Sequence, residues 1–200
     1  MELTLTLFIV LVVLVLALSF FYIIPWYFGA PYDFTWKKVL KEIIKIAKVK
    51  KGEKVVDLGS GDWRIVIAFA QEGVEAHGYE INPFLVWYSR YKIRKLGLKG
   101  KAFIHWKNFW KVDFGQYDKI VMFQFSAIMK KLGEKFKKEL KKGSLVISYY
   151  WKIPNMKLKK LVKVKGLKAP KMYKSVRNIY VYEKKWLFLF SKMPNYKWNI

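Results

Sequence analysis

The part of this chain best suited to chemistry is a turn with two glycines between acidic residues, Asp57-Leu-Gly-Ser-Gly-Asp-Trp-Arg64. Apolar and β-branched residues precede the turn, and a helical pattern over residues 64–70 follows it, which predicts a strand, a tight turn and a helix. Glycines let backbone N–H groups approach a ligand closely, and the helix N-terminus adds a partial positive charge. Asp57, at the end of the strand, can accept a hydrogen bond from a ligand ammonium group. We therefore predict that this turn binds a small ligand.

A further acidic residue, Glu80, stands where a nucleotide-type site needs it. The predicted second strand covers residues 75–79 and ends in Glu80, about 20 residues after the turn, and an acid at that place binds the hydroxyls of a ribose. An ordinary strand-to-helix turn is the alternative for the two glycines alone, and Glu80 counts against it. The dinucleotide fingerprint would need a glycine at position 64, where this chain has Arg64. An acid before the first glycine instead favours S-adenosylmethionine (SAM) as the ligand.

The elements around this turn alternate between strands and helices. Thr35 can cap a helix over residues 36–49, and Pro83 lies in the first turn of a helix that Gly97 ends. A lysine-rich amphipathic helix begins at Ser126. Further strands are predicted over residues 102–106, 117–125 and 145–151. The alternation predicts a parallel, doubly wound sheet.

The pattern changes after Pro154. Residues 161–164 and 178–183 predict two more strands without a full helix between them, which indicates an antiparallel hairpin that closes the sheet. Residues 186–190 are then left over, either as a core strand or as a second contact with a membrane surface.

The N-terminal segment contains no charged residue over residues 3–24. At about 1.5 Å per residue, a helix of this length spans the roughly 30 Å hydrocarbon core of a bilayer. A buried core helix and a cleaved signal peptide are the alternatives; the former is rarely so uniformly apolar, and the latter lacks its basic start. We predict a single uncleaved membrane anchor. Because Lys37, Lys38 and Lys41 follow it, the positive-inside rule places the remaining chain in the cytoplasm, where SAM is made.

The composition is strongly basic, with 39 Lys and Arg residues against 14 Asp and Glu residues and a net charge of +25. Only four of the basic residues are arginine, whereas proteins that bind nucleic acids use arginine more heavily, so nucleic-acid binding is disfavoured. The lysines indicate either attraction to anionic lipid or the codon usage of an AT-rich genome. The chain has no cysteine, which excludes disulfides and thiolate metal sites. His77 and His105 lie in predicted strands without ligand-like spacing, so we interpret them as packing residues and predict no metal.

Two motifs together resemble a known group of enzymes. The turn at residues 57–67 and the segment Gly78-Tyr-Glu-Ile-Asn-Pro-Phe-Leu-Val-Trp-Tyr-Ser-Arg90 are similar to the class I SAM-dependent methyltransferases. Within that class they resemble the membrane-anchored protein-lysine methyltransferases of the adenine nucleotide translocase and the ATP synthase c-subunit, with their prokaryotic relatives. Phe109-Trp-Lys-Val-Asp113 and Gly29-Ala-Pro-Tyr32 continue this resemblance, which fades after Pro154.

The resemblance implies a fold, a domain order and a set of site residues. The fold is α/β, a doubly wound and mostly parallel seven-strand sheet preceded by one transmembrane helix. The parts are an anchor (1–25), a membrane-proximal loop and helix (26–51), the methyltransferase domain (52–184) and an apolar, basic extension (185–200). The residues implied to bind the cofactor are Asp57, Gly59, Ser60, Gly61, Asp62, Glu80, Ile81, Asn82, Asn108 and Phe109.

Three departures from this group affect the site. The family has glycine at the position of Trp63, aspartate at the position of Asn108, and a proline-containing loop at residues 125–127. Trp63 puts a large ring at the mouth of the turn, where it either covers the cofactor or blocks the site. Asn108 can still accept a hydrogen bond from an adenine amino group through its carbonyl oxygen.

The predicted function is transfer of a methyl group from SAM to a neutral lysine amine of a membrane-associated protein. No general base is assigned, and Asp33 is the candidate for steering the acceptor amine. A methyltransferase for a lipid or small amphiphile and a non-catalytic SAM-binding membrane protein are the alternatives.

Overall fold

Strands and helices alternate through most of this chain, as the sequence predicts. The structure is a computed structural model that describes residues 2–28, 35–167 and 177–185. The helices are α1 (Glu2–Phe28), α2 (Lys37–Ala47), α3 (Arg64–Gln71), α4 (Pro83–Lys95) and α5 (Ser126–Glu139). The strands are β1 (Lys54–Leu58), β2 (Glu75–Glu80), β3 (Ala102–Trp106), β4 (Lys119–Met122), β5 (Leu145–Tyr149), β6 (Leu158–Lys163) and β7 (Asn178–Glu183). Two short 3₁₀ turns, Phe109–Lys111 and Phe114–Gln116, connect β3 to β4.

The strands form one seven-stranded sheet in the order β3-β2-β1-β4-β5-β7-β6. Strands β1 to β5 are parallel, whereas β7 runs antiparallel to both β5 and β6. The predicted mostly parallel sheet and its closing hairpin are therefore confirmed, although β6 begins earlier than predicted and carries a register shift near its start.

Helices cover both faces of the sheet because alternate residues of each parallel strand point to opposite sides. On one side, Val55 and Val121 pack in a cluster with residues from α2, α3 and α4. On the other side, Val56 and Ile120 pack in a second cluster with the apolar face of α5. The fully buried Phe136 of α5 shows that this second cluster is a true core.

The order of the strands determines where a ligand can bind. The chain proceeds from β1 outward to β2 and β3, and then returns to the other side of β1 to form β4. At such a reversal the connections leave the carboxyl ends of the two central strands in opposite directions, which opens a crevice between them. The carboxyl ends of β1 and β4 are therefore the expected ligand-binding edge.

Several predicted element boundaries are wrong, and β5, for example, ends at Tyr149 and not at residue 151. Thr35 is not the N-cap of α2, because Trp36 holds that position without a side-chain hydrogen bond. Thr35 is instead buried, and its carbonyl oxygen accepts a hydrogen bond from Arg64 Nη1 at 3.4 Å. Strand β4 is shorter than predicted at both ends, since Tyr117 belongs to the preceding turn, where its hydroxyl lies 2.8 Å from that of Tyr79.

The two histidines pack against each other on β2 and β3. His77 Nδ1 lies 2.9 Å from His105 Nε2, and the two rings are stacked with centroids 5.2 Å apart. The other ring nitrogen of His77 lies 2.7 Å from a carboxylate oxygen of Glu75. Burial lowers the pKa of His105 below its ordinary value. Within the described residues, no group of His, Cys, Asp and Glu side chains could hold a metal ion.

The N-terminal segment is helical in the structure, as α1. Its side chains are described at residues 3–16, 18 and 19, all of which are exposed. Over the residues that the structure describes, no helix meets the length and apolar character that a membrane span requires. The anchor predicted for residues 3–24 is therefore not supported by the structure and stays a prediction. The strand or membrane contact considered for residues 186–190 lies outside the described residues.

Candidate cofactor-binding site

The glycine turn after β1 is held by backbone conformations that favour glycine. Gly59 and Gly61 have positive φ angles of 73° and 50°. The N–H groups of Gly59 and Ser60 both donate to the carbonyl oxygen of Tyr79 at 3.0 Å, and the N–H of Gly61 donates to Glu80 Oε2 at 3.0 Å. The expectation that these N–H groups face a ligand is therefore wrong. They attach the turn to the end of β2 instead.

Three backbone hydrogen bonds fix the carboxylate of Glu80, one of the predicted cofactor contacts. Its Oε1 accepts hydrogen bonds from the N–H groups of Ile81 and Asn82, both at 2.8 Å, while Oε2 accepts one from Gly61. A carboxylate offers about four lone-pair sites, so Oε2 keeps one site open. The side chain is only 8% exposed, and three backbone donors hold it in place before any ligand binds. This geometry suits an acceptor for a ribose hydroxyl.

Asp57 brings a second carboxyl group to the same edge of the sheet. It is 3% exposed, and burial raises its pKa well above the ordinary value, with smaller contributions from the charges of Glu80 and Asp62. A buried, electrostatically crowded carboxyl group is stabilised as the anion when a cation binds beside it. The site therefore favours a positively charged ligand.

Asp62 forms an ion pair with Arg64 in this structure. Its Oδ2 accepts a hydrogen bond from Arg64 Nε at 2.6 Å and also contacts the Nη2 of that guanidinium group. The carboxylate is thus neutralised by its own turn, so its predicted contact with the cofactor would require it to serve two partners.

Ser60 lies against the backbone of β2. A Cβ atom added to Gly78 would lie 2.6 Å from both the Cβ and the Oγ of Ser60, so only glycine fits at position 78 without displacing that side chain. Ser60 is 6% exposed, and its hydroxyl has no hydrogen-bond partner among the described residues. The glycine in β2 is therefore required by the turn that packs over it.

The remaining predicted residues lie at the carboxyl ends of β2 and β3. The Asn82 Oδ1 atom caps α4 by accepting from the N–H groups of Phe84 and Leu85. The Asn108 Oδ1 atom caps the next 3₁₀ turn by accepting from Trp110 N at 2.9 Å, which leaves one lone pair for an adenine amino group. The structure also places Ile81, half-buried, beside Asn82, and Phe109, buried in the second core cluster, beside Asn108. Asp33 lies outside the described residues, so its proposed role stays a prediction.

Gln124, just after β4, is a site residue that the sequence analysis missed. Its Nε2 donates to the carbonyl oxygen of Leu58 at 2.7 Å, and a Cβ on Gly59 would collide with that same Nε2 atom. The side chain is 3% exposed, yet its Oε1 has no hydrogen-bond partner within the part of the chain that the structure describes. A glutamine after a short apolar strand is a weak signal in a sequence, because nothing there shows that β4 lies beside β1.

Unpaired polar atoms gather around the turn. Four buried side-chain atoms lack a partner among the described residues, and three of them belong to the turn or to the residue that touches it: Ser60 Oγ, Trp63 Nε1 and Gln124 Oε1. Buried polar groups are nearly always hydrogen-bonded, so these atoms call for a water molecule or a ligand as their partner. The ammonium group of SAM is a donor that suits the unpaired Gln124 Oε1, and a ribose hydroxyl suits the open Oε2 site of Glu80. The residues present therefore fit SAM.

Trp63 adopts a backbone conformation that favours glycine. Its φ angle is 78°, in the left-handed region that costs a residue with a side chain about 1–2 kcal/mol. The indole packs against the first core cluster and lies 5.8 Å from Lys92 Nζ on α4. The ring is therefore partly a packing residue between the turn and α4, and its effect on the cofactor stays a prediction.

Comparisons with known proteins agree with this geometry. The family description "ANTKMT methyltransferase domain" matches residues 57–160. The chain is 42% identical over 117 residues to the ATP synthase c-subunit lysine N-methyltransferase of Mus musculus, covering 58% of this chain and 47% of that protein. It is 36% identical to a protein-lysine N-methyltransferase of Saccharolobus islandicus (strain REY15A), over 67% of this chain and 84% of that protein. The chain thus spans about half the length of the animal relative and most of the archaeal one.

A solved structure supports the fold. An RNA methyltransferase from Salinibacter ruber, crystallised with S-adenosyl-L-homocysteine, superposes with a TM-score of 0.68 at 22% identity, covering 81% of this chain and 97% of that one. At this level of identity the likeness extends to the fold alone, and it confirms the expected methyltransferase architecture.

We expect Trp63→Gly to weaken SAM binding while the fold stays intact. The substitution removes the indole beside the turn, whose contact with a cationic ligand is worth of order 0.5–2 kcal/mol, and relieves the left-handed backbone strain. Calorimetry with SAM measures the affinity, and Trp63→Phe is the matched control that keeps a ring but removes the N–H group. Binding that improves in Trp63→Gly would mean that the ring blocks the site, and unchanged binding would leave it a packing role only.

We expect Asp57→Asn to stabilise the ligand-free protein at neutral pH and to weaken SAM binding. Because the folded-state pKa of Asp57 is raised, the folded protein retains a proton that the unfolded chain loses above about pH 4. The free energy of unfolding of the wild type therefore falls as the pH rises from about 4 towards the folded-state pKa. The variant should lack this fall in its free energy of unfolding. Wild-type binding of a cation should also release a proton, measured by calorimetry in buffers of different ionisation enthalpy. Identical pH profiles for the two proteins would contradict the assignment.

Proposed function

This chain belongs to the ANTKMT methyltransferase domain family, and from that premise we propose that it is a SAM-dependent protein-lysine N-methyltransferase. The observation that carries the proposal is the Glu80 carboxylate, which three backbone N–H groups hold beside the glycine turn with one acceptor site open. Relatives from an animal and from an archaeon are both named as lysine N-methyltransferases, which supports lysine as the acceptor.

The roles of the residues follow from their positions. SAM, when bound, supplies a methyl group activated by the positive sulfonium. Glu80 binds and orients the ribose through its open Oε2 site. The buried carboxyl of Asp57 makes the crevice favourable for positive charge, and Gln124 offers its unpaired Oε1 to an ammonium donor next to the carbonyl of Leu58. Much of the rate enhancement then comes from alignment and from the exclusion of water, because the leaving group is already good.

The acceptor amine must be neutral to attack, which makes its surroundings important. A lysine in bulk water is protonated, and a desolvated site lowers its pKa. No general base for this deprotonation is assigned among the described residues.

A membrane protein is the acceptor that we propose. Support comes from the uncharged run at residues 3–24, from the lysines that follow it, and from Mus musculus relatives named for the ATP synthase c-subunit and for the adenine nucleotide translocase. The chain would then be a single-pass protein with its catalytic domain in the cytoplasm.

Methyl transfer is tested by incubating the detergent-solubilised full chain with methyl-labelled SAM and membranes of the source organism. We expect label in protein, released by acid hydrolysis as methyl-lysine. The Glu80→Ala variant should bind SAM about 1–3 kcal/mol more weakly and give correspondingly less label. Because Glu80 also accepts three backbone hydrogen bonds, its thermal unfolding should be measured beside the wild type. Label in the lipid extract would favour a lipid methyltransferase, and a wild type that ignores SAM would refute the enzyme proposal.

The proposed topology makes a separate prediction. Protease added to intact cells should spare residues 52–184, because the positive-inside rule retains the lysine-rich side in the cytoplasm. Immunoblotting before and after permeabilisation measures the protection. Digestion without permeabilisation, or a soluble chain that lacks about its first 20 residues, would favour a cleaved signal peptide.

A further inference from the structure

The outer face of α4 carries a stripe of exposed aromatic residues. Phe84, Trp87 and Tyr91 are 67%, 60% and 43% exposed, and their spacing places them on one side of the helix. The ring centroids of Phe84 and Trp87 lie 6.1 Å apart, and those of Trp87 and Tyr91 lie 6.4 Å apart. The opposite side of the helix already packs on the core. A surface helix normally presents polar residues to water, so this aromatic stripe calls for a partner.

Trp106, at the end of β3, extends the same region. It is 65% exposed, and its Nε1 donates to the carbonyl oxygen of Ile81 at 3.0 Å, three residues before Phe84. The polar edge of this indole is thus satisfied by the protein, while most of its apolar surface remains open. A large, fixed and exposed ring next to the start of α4 adds apolar area to the aromatic stripe.

The segment that carries the aromatic stripe has charges of one sign. Residues 81–112 contain no Asp or Glu. On α4 itself, the exposed Arg94 and Lys95 continue the stripe by one turn. The basic residues of the whole segment are Arg90, Lys92, Arg94, Lys95, Lys99, Lys101, Lys107 and Lys111. Such a surface is complementary to a partner that is both anionic and able to take up aromatic rings.

We propose that the aromatic stripe and Trp106 dock on the headgroup region of an anionic membrane. Tryptophan and tyrosine rings favour the membrane–water interface, where an apolar ring and a polar edge are both accommodated. Lysine and arginine beside them gain from the negative surface potential of anionic lipid. Docking through this helix does not rest on the proposed methyltransferase activity, and it would hold for a non-catalytic protein as well.

Docking through α4 would orient the ligand-binding edge of the sheet. The helix begins shortly after Glu80, and Ser89 Oγ on its buried side donates to the carbonyl oxygen of Gly61 at 3.3 Å. Phe84 lies in the first turn of α4, at the carboxyl end of the sheet. The membrane contact and the glycine turn are therefore parts of one rigid arrangement, and the crevice would face acceptors near the bilayer surface.

The absence of cysteine makes a clean test possible, because one introduced thiol is the only labelling site. The full chain with Tyr91→Cys is labelled with a polarity-sensitive fluorophore and reconstituted into vesicles of phosphatidylcholine alone or mixed with phosphatidylglycerol. Brominated lipid then reports contact by quenching. The matched control is Lys138→Cys, an exposed position on α5 across the sheet. Both proteins share the N-terminal segment, so only the difference between them reports docking of α4.

We expect quenching at position 91 in anionic vesicles, little quenching there in neutral vesicles, and none at position 138. Adding Arg94→Glu and Lys95→Glu should reduce the docked-to-undocked ratio about fivefold for each basic residue lost. The proposal is overturned if the label at position 91 stays exposed to water in anionic vesicles. It is also overturned if the label is shielded equally in both lipids without quenching, because the chain's own residues 186–200 or a second copy would then cover the stripe.

Discussion

The hydrogen bond from Gly61 N–H to Glu80 Oε2, 3.0 Å long, is the contact on which the site depends. It joins the turn after β1 to the end of β2, and two further N–H groups of the turn reinforce it by donating to the carbonyl of Tyr79. These three donors bond within the protein, whereas Oε2 of Glu80 and Oε1 of Gln124 keep acceptor capacity for a ligand. The site is thus an arrangement of carboxylates and carbonyl oxygens, which suits a ligand rich in hydroxyl and ammonium donors.

That arrangement has an electrostatic cost before a ligand binds. Asp57 is buried beside Glu80, and its pKa is raised. Asp62, by contrast, is neutralised locally by Arg64. The unpaired Oε1 of Gln124 adds a further acceptor that lacks a donor among the described residues. A positively charged ligand would offset both the burial of the Asp57 carboxyl group and the missing partner of Gln124. Residues that favour binding therefore lower the stability of the ligand-free protein.

Much of the fold followed from the sequence because its patterns were local. Periodicity and the placing of glycine and proline predict the β1–turn–α3 unit, the acid that ends β2 and the closing hairpin. Two of the wrong boundaries lie where tertiary contacts accompany the change: Thr35 is buried and its carbonyl oxygen accepts from Arg64, and the hydroxyl of Tyr117 lies beside that of Tyr79.

The sequence by itself indicated the family and the class of cofactor, through the resemblance of its motifs, and it predicted Asp57 and Glu80 as acids of one site from their spacing along the chain. Only the tertiary structure decided that the turn donates its N–H groups to β2, that Gln124 joins the site, and that α4 exposes aromatic residues on its outer side. These features depend on which strands become neighbours and on which helix face is buried. The spacing of residues along one segment predicts neither of them, because both arise when distant segments pack together.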